Sequence, residues 1–337
     1  MRLTLGSFRF GRPSGCEADE TRRITARGIR RHLTARDDPL REHPEGQDVR
    51  MKQSHRDLRK IVWYLSCTFC FVELMFAQRP FREYPSVEYG ESTPLPADWE
   101  RAGEWAFARL MYPPGPNDGY RGRFDGDWRQ GMSLWTQDGP PADRHFAAAV
   151  RRLTRIDARS VEQDVNLDDG DEVYNWPWLY AVQVGEWGIT RRQADVLRDY
   201  LLRGGFLMAD DFHGAYEWQM FEERIRMVFP DRPIVDIPDN DPIFHTLYDL
   251  DDRYQIPGAA HLRLGYKVPD YPQGPGDGKG ARWRAIYDDK GRIMVAICFN
   301  SDLGDSWEWA DRPAYPERFS DLGIRIGINY LLYDMTH

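Results

Sequence analysis

The stretch Gly204 to Gly214, GGFLMADDFHG, places two carboxylates and an imidazole directly behind a short apolar run. Asp210, Asp211 and His213 offer a general acid–base group, or oxygen and nitrogen ligands for a metal ion. Aspartates also cap helices and tie down turns, so a strand-to-helix corner alone would account for them. His245, in the segment DPIFH, is a candidate distant partner, although a lone histidine among aromatics equally reads as a packed side chain. A second set comprises Asn175, Trp176, Glu186, Trp187, Asn300, Asp302, Asp305 and Trp307. Its amides and carboxylates suit hydrogen bonding, and its indoles, with Trp309, suit stacking on sugar rings. The competing reading is that these tryptophans fill the core. No ligand spacing among these residues is diagnostic of a metal, and no cofactor is specified. A G-x-S-x-G elbow and a P-loop are absent from the sequence.

Three elements have to position the central group. Phe206–Ala209 is apolar and bounded by glycines, the pattern of a buried parallel strand. The run Arg191–Arg203 before it has helical spacing, and Thr190 with Gln193 three residues on forms a capping box. Leu179–Val184 reads as a preceding strand, so strand, helix and strand form a βαβ unit with parallel strands. Arg292–Phe299 is a further strand, joined in a hairpin to Trp283–Tyr287. If the sheet is parallel at its centre, three clusters face one crevice: Glu186-Trp187, Asp210 through His213, and Asn300 through Glu308.

Elsewhere, Trp105–Tyr112 has strand composition, and Leu167–Pro177 reads as a polar turn. Helical spacing marks Ala142–Leu153, a segment from His213 to about Phe229, and Arg318–Tyr333. Pro113–Gly139 reads as a long loop or lid, and Gly265–Gly280 as a flexible excursion.

Charge is unevenly spread. Residues 1–77 carry a net charge of +5 and residues 78–337 a net charge of −14. An acidic body repels phosphate backbones, so nucleic acid is not an expected partner. Residues 1–50 hold eleven arginines and no sustained period. They read as an extension that is untranslated or disordered, with Met51 as the true start. Lys52 to Lys60 is basic, Ile61–Ala77 is largely apolar, and Ala77 supplies a small residue before Gln78. That order is the layout of a secretory signal peptide over 51–77; an uncleaved membrane anchor through residues 61–77 is the alternative. Residues 78–104 read as a linker, and residues 105–337 as the folded domain. Cys67 and Cys70 fall within the apolar run, leaving Cys298 as the single cysteine of an exported chain, with no internal disulfide.

The motifs GGFLMADDFHG, YNWPWLYAVQVGEW, VFPDRPIVDIPDNDPIFHTLYDLDDRYQIPG, YDDKGRIMVAICFNSDLGDSWEWAD and RIGINYLLYDMTH together resemble a bacterial family of unknown function, DUF4159. The likeness runs from about Trp105 to His337 and implies no activity. More distantly, the order of elements is similar to the class I glutamine amidotransferase-like fold. That implies a three-layer α/β, flavodoxin-like sheet with helices on both faces. Amidotransferases carry a cysteine at the strand-to-helix elbow, with histidine and glutamate partners. Here the elbow falls at Asp210 or Asp211, and Cys298 closes a different strand, so thioester chemistry is not expected. The expectation is an exported, non-catalytic ligand-binding or scaffold domain of the cell envelope, its ligand a small molecule or glycan and its partners other envelope proteins. The alternative is a hydrolase using Asp210 or Asp211 with His213 or His245.

Overall fold

The structure is a computed structural model that describes residues 80–89, 93–115, 126–263 and 280–337. The extension 1–50, the segment 51–77 and the excursion up to residue 279 lie outside the described residues. All described residues belong to one compact unit, Ser66–His337.

Seven strands form one sheet: β1 (Ala108–Met111), β2 (Gln163–Asn166), β3 (Trp178–Ala181), β4 (Phe206–Ala209), β5 (Val235–Asp236), β6 (Arg282–Tyr287) and β7 (Ile293–Phe299). Their order is β2-β1-β3-β4-β7-β6-β5, with β4 in the middle. The pairs from β2 through β7 are parallel, and β6 and β5 run antiparallel at one edge. The helices are α1 (Pro141–Leu153), α2 (Arg191–Leu202), α3 (Gly214–Val228), α4 (Ala259–Arg263), α5 (Leu303–Glu308) and α6 (Glu317–Thr336).

The strands are apolar on both faces because both faces are covered. Phe206 and Met208 of β4 pack into a core with Phe146 of α1, Trp307 of α5 and Ile326 of α6. Leu207 and Ala209 face the opposite core, with Leu197 of α2 and Phe221 and Ile225 of α3. The result is a three-layer α/β domain. Among the described residues no helix is long and apolar enough to cross a membrane.

Local chemistry sets the approach to β4. Thr190 Oγ1 accepts from Gln193 N at 3.2 Å, while Gln193 Oε1 accepts from Thr190 N at 2.9 Å, closing the capping box of α2. Gly205 is required sterically: a Cβ there would lie 2.3 Å from the ring of Tyr200, which is itself buried.

The segment read as a linker lies against the domain. Ser86 is buried and its hydroxyl donates to Thr136 O at 2.9 Å. Val87 N donates to Thr136 Oγ1 at 3.1 Å, and Glu88 Oε2 accepts from Asp138 N at 2.7 Å. Residues 80–89 thus form a strap held by specific bonds. The segment read as a loop or lid is likewise packed where it is described: Leu134 and Trp135 are buried in a one-turn helix.

Asp334 sits in the last turn of α6, where the helix dipole disfavours negative charge. Burial pushes its carboxyl up to about 7, against the opposing pull of Arg292. A folded-state value above the unfolded one, about 3.9, means this group favours folding below pH 4 and loses that contribution as pH rises through 7. Asp334→Asn is therefore expected to stabilise the protein by about 1–2 kcal/mol at pH 8, the full shift being discounted for partial solvent access, and to be neutral at pH 4. Urea unfolding at both values checks it; an equal gap at both would refute the electrostatic cause.

Candidate functional site

The carboxyl ends of β3, β4 and β7 are adjacent on one rim of the sheet, because the three strands are neighbours and parallel. Each chain leaves its strand through a non-glycine residue in the left-handed region: Gln183 (φ 52°), Asp211 (φ 52°) and Asn300 (φ 58°). Such a conformation costs a non-glycine residue on the order of 1 kcal/mol and clusters at functional sites. Of the three, Gln183 and Asp211 line the cleft described below.

Asp211 is the elbow residue. Its Oδ2 accepts from Gln183 Nε2 at 2.7 Å, and its Oδ1 lies 3.0 Å from His213 Nε2. Neither oxygen caps a helix. Burial pushes the Asp211 carboxyl up to about 7, with the charge of Asp305 adding to it and the Gln183 bond opposing. Burial pulls His213 down to about 4, so its ring is neutral at pH 7, with Nε2 within hydrogen-bond distance of Asp211 Oδ1. Glu217, in the first turn of α3, accepts from His213 N and is pushed up to about 7 by burial.

Asp210 plays a different part. It is fully buried, and its Oδ2 accepts from Tyr180 Oη at 2.9 Å, Leu303 N at 2.8 Å and Gly304 N at 3.0 Å. It therefore ties the tip of β4 to the start of α5. Asn300 is also structural: its Oδ1 accepts from Gly214 N at 3.0 Å and its Nδ2 donates to Gly280 O at 3.1 Å. Asp302 caps α5 through Oδ1, which accepts from Asp305 N at 2.9 Å. Asp305 accepts from Ala259 N at 2.6 Å and from Trp309 Nε1 at 3.0 Å.

A cleft of about 280 Å³ opens over these tips. Its carboxylates are Glu88, Glu186, Asp211, Glu217, Asp302 and Asp305. His213, His261, Gln137, Gln183 and Trp309 complete the polar and aromatic wall, and no lysine or arginine lines it among the described residues. Ligand atoms of Asp211, His213 and Asp302 lie within 4.8 Å of one another, so this group could hold a metal through oxygen and nitrogen.

Several expectations need correction. Trp187 is buried and stacked on Phe221 at 5.5 Å, and Trp307 is buried against Phe146 at 4.5 Å. Trp176 is buried too, its indole N–H given to Glu172 Oε1 at 3.1 Å. A ring enclosed on both faces cannot stack on a sugar, so these three are core residues; Trp309 alone of the expected indoles reaches the cleft. Asn175 and Trp176 precede β3 and so stand at its amino end, away from the rim that holds Asp211. His245 is apart from the cleft, paired with Asp249 Oδ1 at 3.0 Å and Asp239 O at 2.8 Å. Those two bonds, led by the Asp239 carbonyl, raise its pKa, as expected of a surface histidine held by acceptors.

Gln183, Glu217, His261 and Glu88 were not anticipated from sequence. Gln183 and Glu217 flank segments that were identified, but nothing in their local pattern sets them apart from other surface polar residues. Cys298 is buried within β7, its thiol pushed well up by burial, which leaves it unsuited to act as a nucleophile.

A family model described as Domain of unknown function (DUF4159) matches residues 128–335. No curated protein matches the chain.

Proposed function

The chain belongs to the DUF4159 family, and from that premise, which leaves activity open, we propose that it is an exported cell-envelope protein that binds a small cationic ligand in the rim cleft. The scaffold in this reading is class I glutamine amidotransferase-like, with Asp211 where an amidotransferase carries its cysteine. The observation that carries it is the imbalance of the cleft wall: six carboxylates and two histidines against no lysine or arginine among the described residues. Carboxylates whose protonation is favoured by burial gain most from a cation placed among them, since it offsets both desolvation and mutual repulsion. The ligand class is an amine or guanidinium compound, including a cationic amino sugar. Anionic metabolites and nucleic acid are disfavoured by the same charge. Export rests on the basic, apolar and small-residue order of residues 51–77. Attachment to the membrane would be through 61–77 alone, if that segment is retained, and envelope protein partners remain part of this reading.

The test is a thermal-shift and calorimetric screen on the full chain with spermidine, glucosamine and N-acetylglucosamine. Cationic compounds are expected to raise Tm, with glucosamine preferred over its neutral N-acetyl counterpart. Asp211→Asn and Glu217→Gln are each expected to weaken binding about tenfold, the size of one charge-assisted hydrogen bond. A preference for neutral or anionic compounds, or unchanged affinity in both variants, would sink the proposal.

The 3.0 Å contact between Asp211 and His213 at a left-handed elbow favours a second reading, hydrolysis. Asp211 would then act as general base on a water in the cleft. Under it, Asp211→Asn abolishes turnover of chromogenic ester or glycoside substrates while leaving their binding intact. Loss of binding with no turnover in the wild type favours the first reading.

A further inference from the structure

Beneath the strap, outside the Asp211–His213 couple, lies a second group of acids: Glu88, Asp138 and Glu308. One carboxylate oxygen from each lies within 4.8 Å of the others. Asp138 is 1% exposed, and neither of its carboxylate oxygens has a hydrogen-bond partner among the described residues. A buried carboxylate with both oxygens unsatisfied is costly, the more so if charged. Buried native groups of this kind call for a specific counterpart.

Among the described residues no side chain supplies the counterpart. The buried guanidinium of Arg109 is committed to both oxygens of Asp143 and to the carbonyls of Trp135 and Gln137. A Cβ on Gly304 would fall 2.1 Å from Asp138 Oδ2, so the carboxylate is pressed against the start of α5. Asp138 itself holds a left-handed backbone (φ 59°), and its N–H is fixed by Glu88 Oε2 at 2.7 Å. Glu308 is buried and accepts from the Tyr89 hydroxyl. Each member is thus held in place by another part of the group or by its surroundings.

We propose that Glu88, Asp138 and Glu308 form a site for one hard divalent cation of the Ca²⁺, Mg²⁺ or Mn²⁺ class. The donor set is all carboxylate oxygen, which suits those ions rather than zinc or copper. The donor spread fits oxygens gathered at roughly 2.1–2.5 Å around one ion. The cation would join three pieces of chain that are distant in sequence: the strap at Glu88, the loop before α1 at Asp138, and α5 at Glu308. Because Glu88 also lines the cleft, the ion would fix one wall of it. The proposal does not depend on what occupies the cleft.

The experiment uses the full chain stripped with EDTA, then titrated calorimetrically with CaCl₂, MgCl₂ and MnCl₂, with Tm followed in parallel. The wild type is expected to bind one equivalent of at least one of these ions and to gain several degrees in Tm. Asp138→Asn is expected to lose that binding at least tenfold. In EDTA it should melt at or above the wild-type temperature, because an uncompensated buried charge has been removed. Asp334→Asn, in the last turn of α6 and outside both acidic groups, should bind the ion as the wild type does. Should Asp138→Asn not fold, Glu88→Gln, whose side chain is exposed, carries the same expectation of weakened binding. No binding by the wild type overturns the proposal, as does unchanged binding in Asp138→Asn or Glu88→Gln. Loss of the ion in Asp211→Asn alone would assign it to the other group and equally overturn it. Since the probe is the bare ion, this result is independent of the amine screen.

Discussion

Asp210→Ala is expected to destabilise the protein by about 3–5 kcal/mol, because three buried donors lose their common acceptor at once. Tyr180 Oη, Leu303 N and Gly304 N all converge on Asp210 Oδ2 at 2.8–3.0 Å. All three are buried, Tyr180 and Leu303 fully so. The loss would also free the start of α5 and with it Asp302 and Asp305, so cleft binding should fall together with stability. Asp210→Asn keeps one oxygen for the two amides and is expected to cost far less. Burial, followed by the charge of Asp211, pushes the Asp210 carboxyl up to about 8. A carboxyl raised in the folded state contributes stability at low pH that is lost as pH rises through that value. Asparagine does not titrate, so its stability relative to wild type should improve between pH 6 and pH 9. Urea unfolding of both variants checks this; an alanine variant within 1 kcal/mol of wild type would mean that α5 is held by other contacts.

The second large effect is expected at Asp143. Arg109, on β1, is 1% exposed and makes a two-pronged bond to Asp143 at 2.5 and 2.9 Å. Its remaining donors hold Trp135 O at 3.0 Å and Gln137 O at 2.8 Å. Asp143→Ala leaves a guanidinium buried without its counter-charge, which costs about 3–5 kcal/mol. Adding Arg109→Met is expected to recover part of that loss, because the orphaned charge leaves with its partner. A double variant no more stable than Asp143→Ala, or a single variant that loses under 1 kcal/mol, would contradict this account. Arg109 also matters to the site: by holding Gln137 O it fixes the residue next to Asp138, so the core ion pair and the proposed cation site share a support.

What the sequence determined by itself was set by short-range chemistry. β4 appears at the residues expected, Phe206–Ala209, because glycines bound an apolar run too short for a helix. The capping box placed the start of α2, since Thr190 and Gln193 satisfy each other within one turn. The hairpin of β6 and β7 and the final helix followed from periodicity in the same way. From these came the parallel centre of the sheet, and hence the gathering of Asp211, His213, Glu186, Asp302 and Asp305 on one rim.

Only the tertiary structure decided the rest. β2, Gln163–Asn166, has no apolar run to mark it and exists because β1 offers it an edge. Whether an indole faces a ligand or the core is not encoded in its neighbours, and Trp176, Trp187 and Trp307 face inward. Asp210 and Asp211 are adjacent in the chain, yet their carboxylates serve different groups: one anchors α5 and the other faces the cleft. Glu88 and Asp138 come from stretches without periodicity, and they meet Glu308 only across long separations in sequence. Local patterns report on a residue's own turn or strand, whereas a site built from distant segments is specified by how the layers pack, which no short window of residues contains.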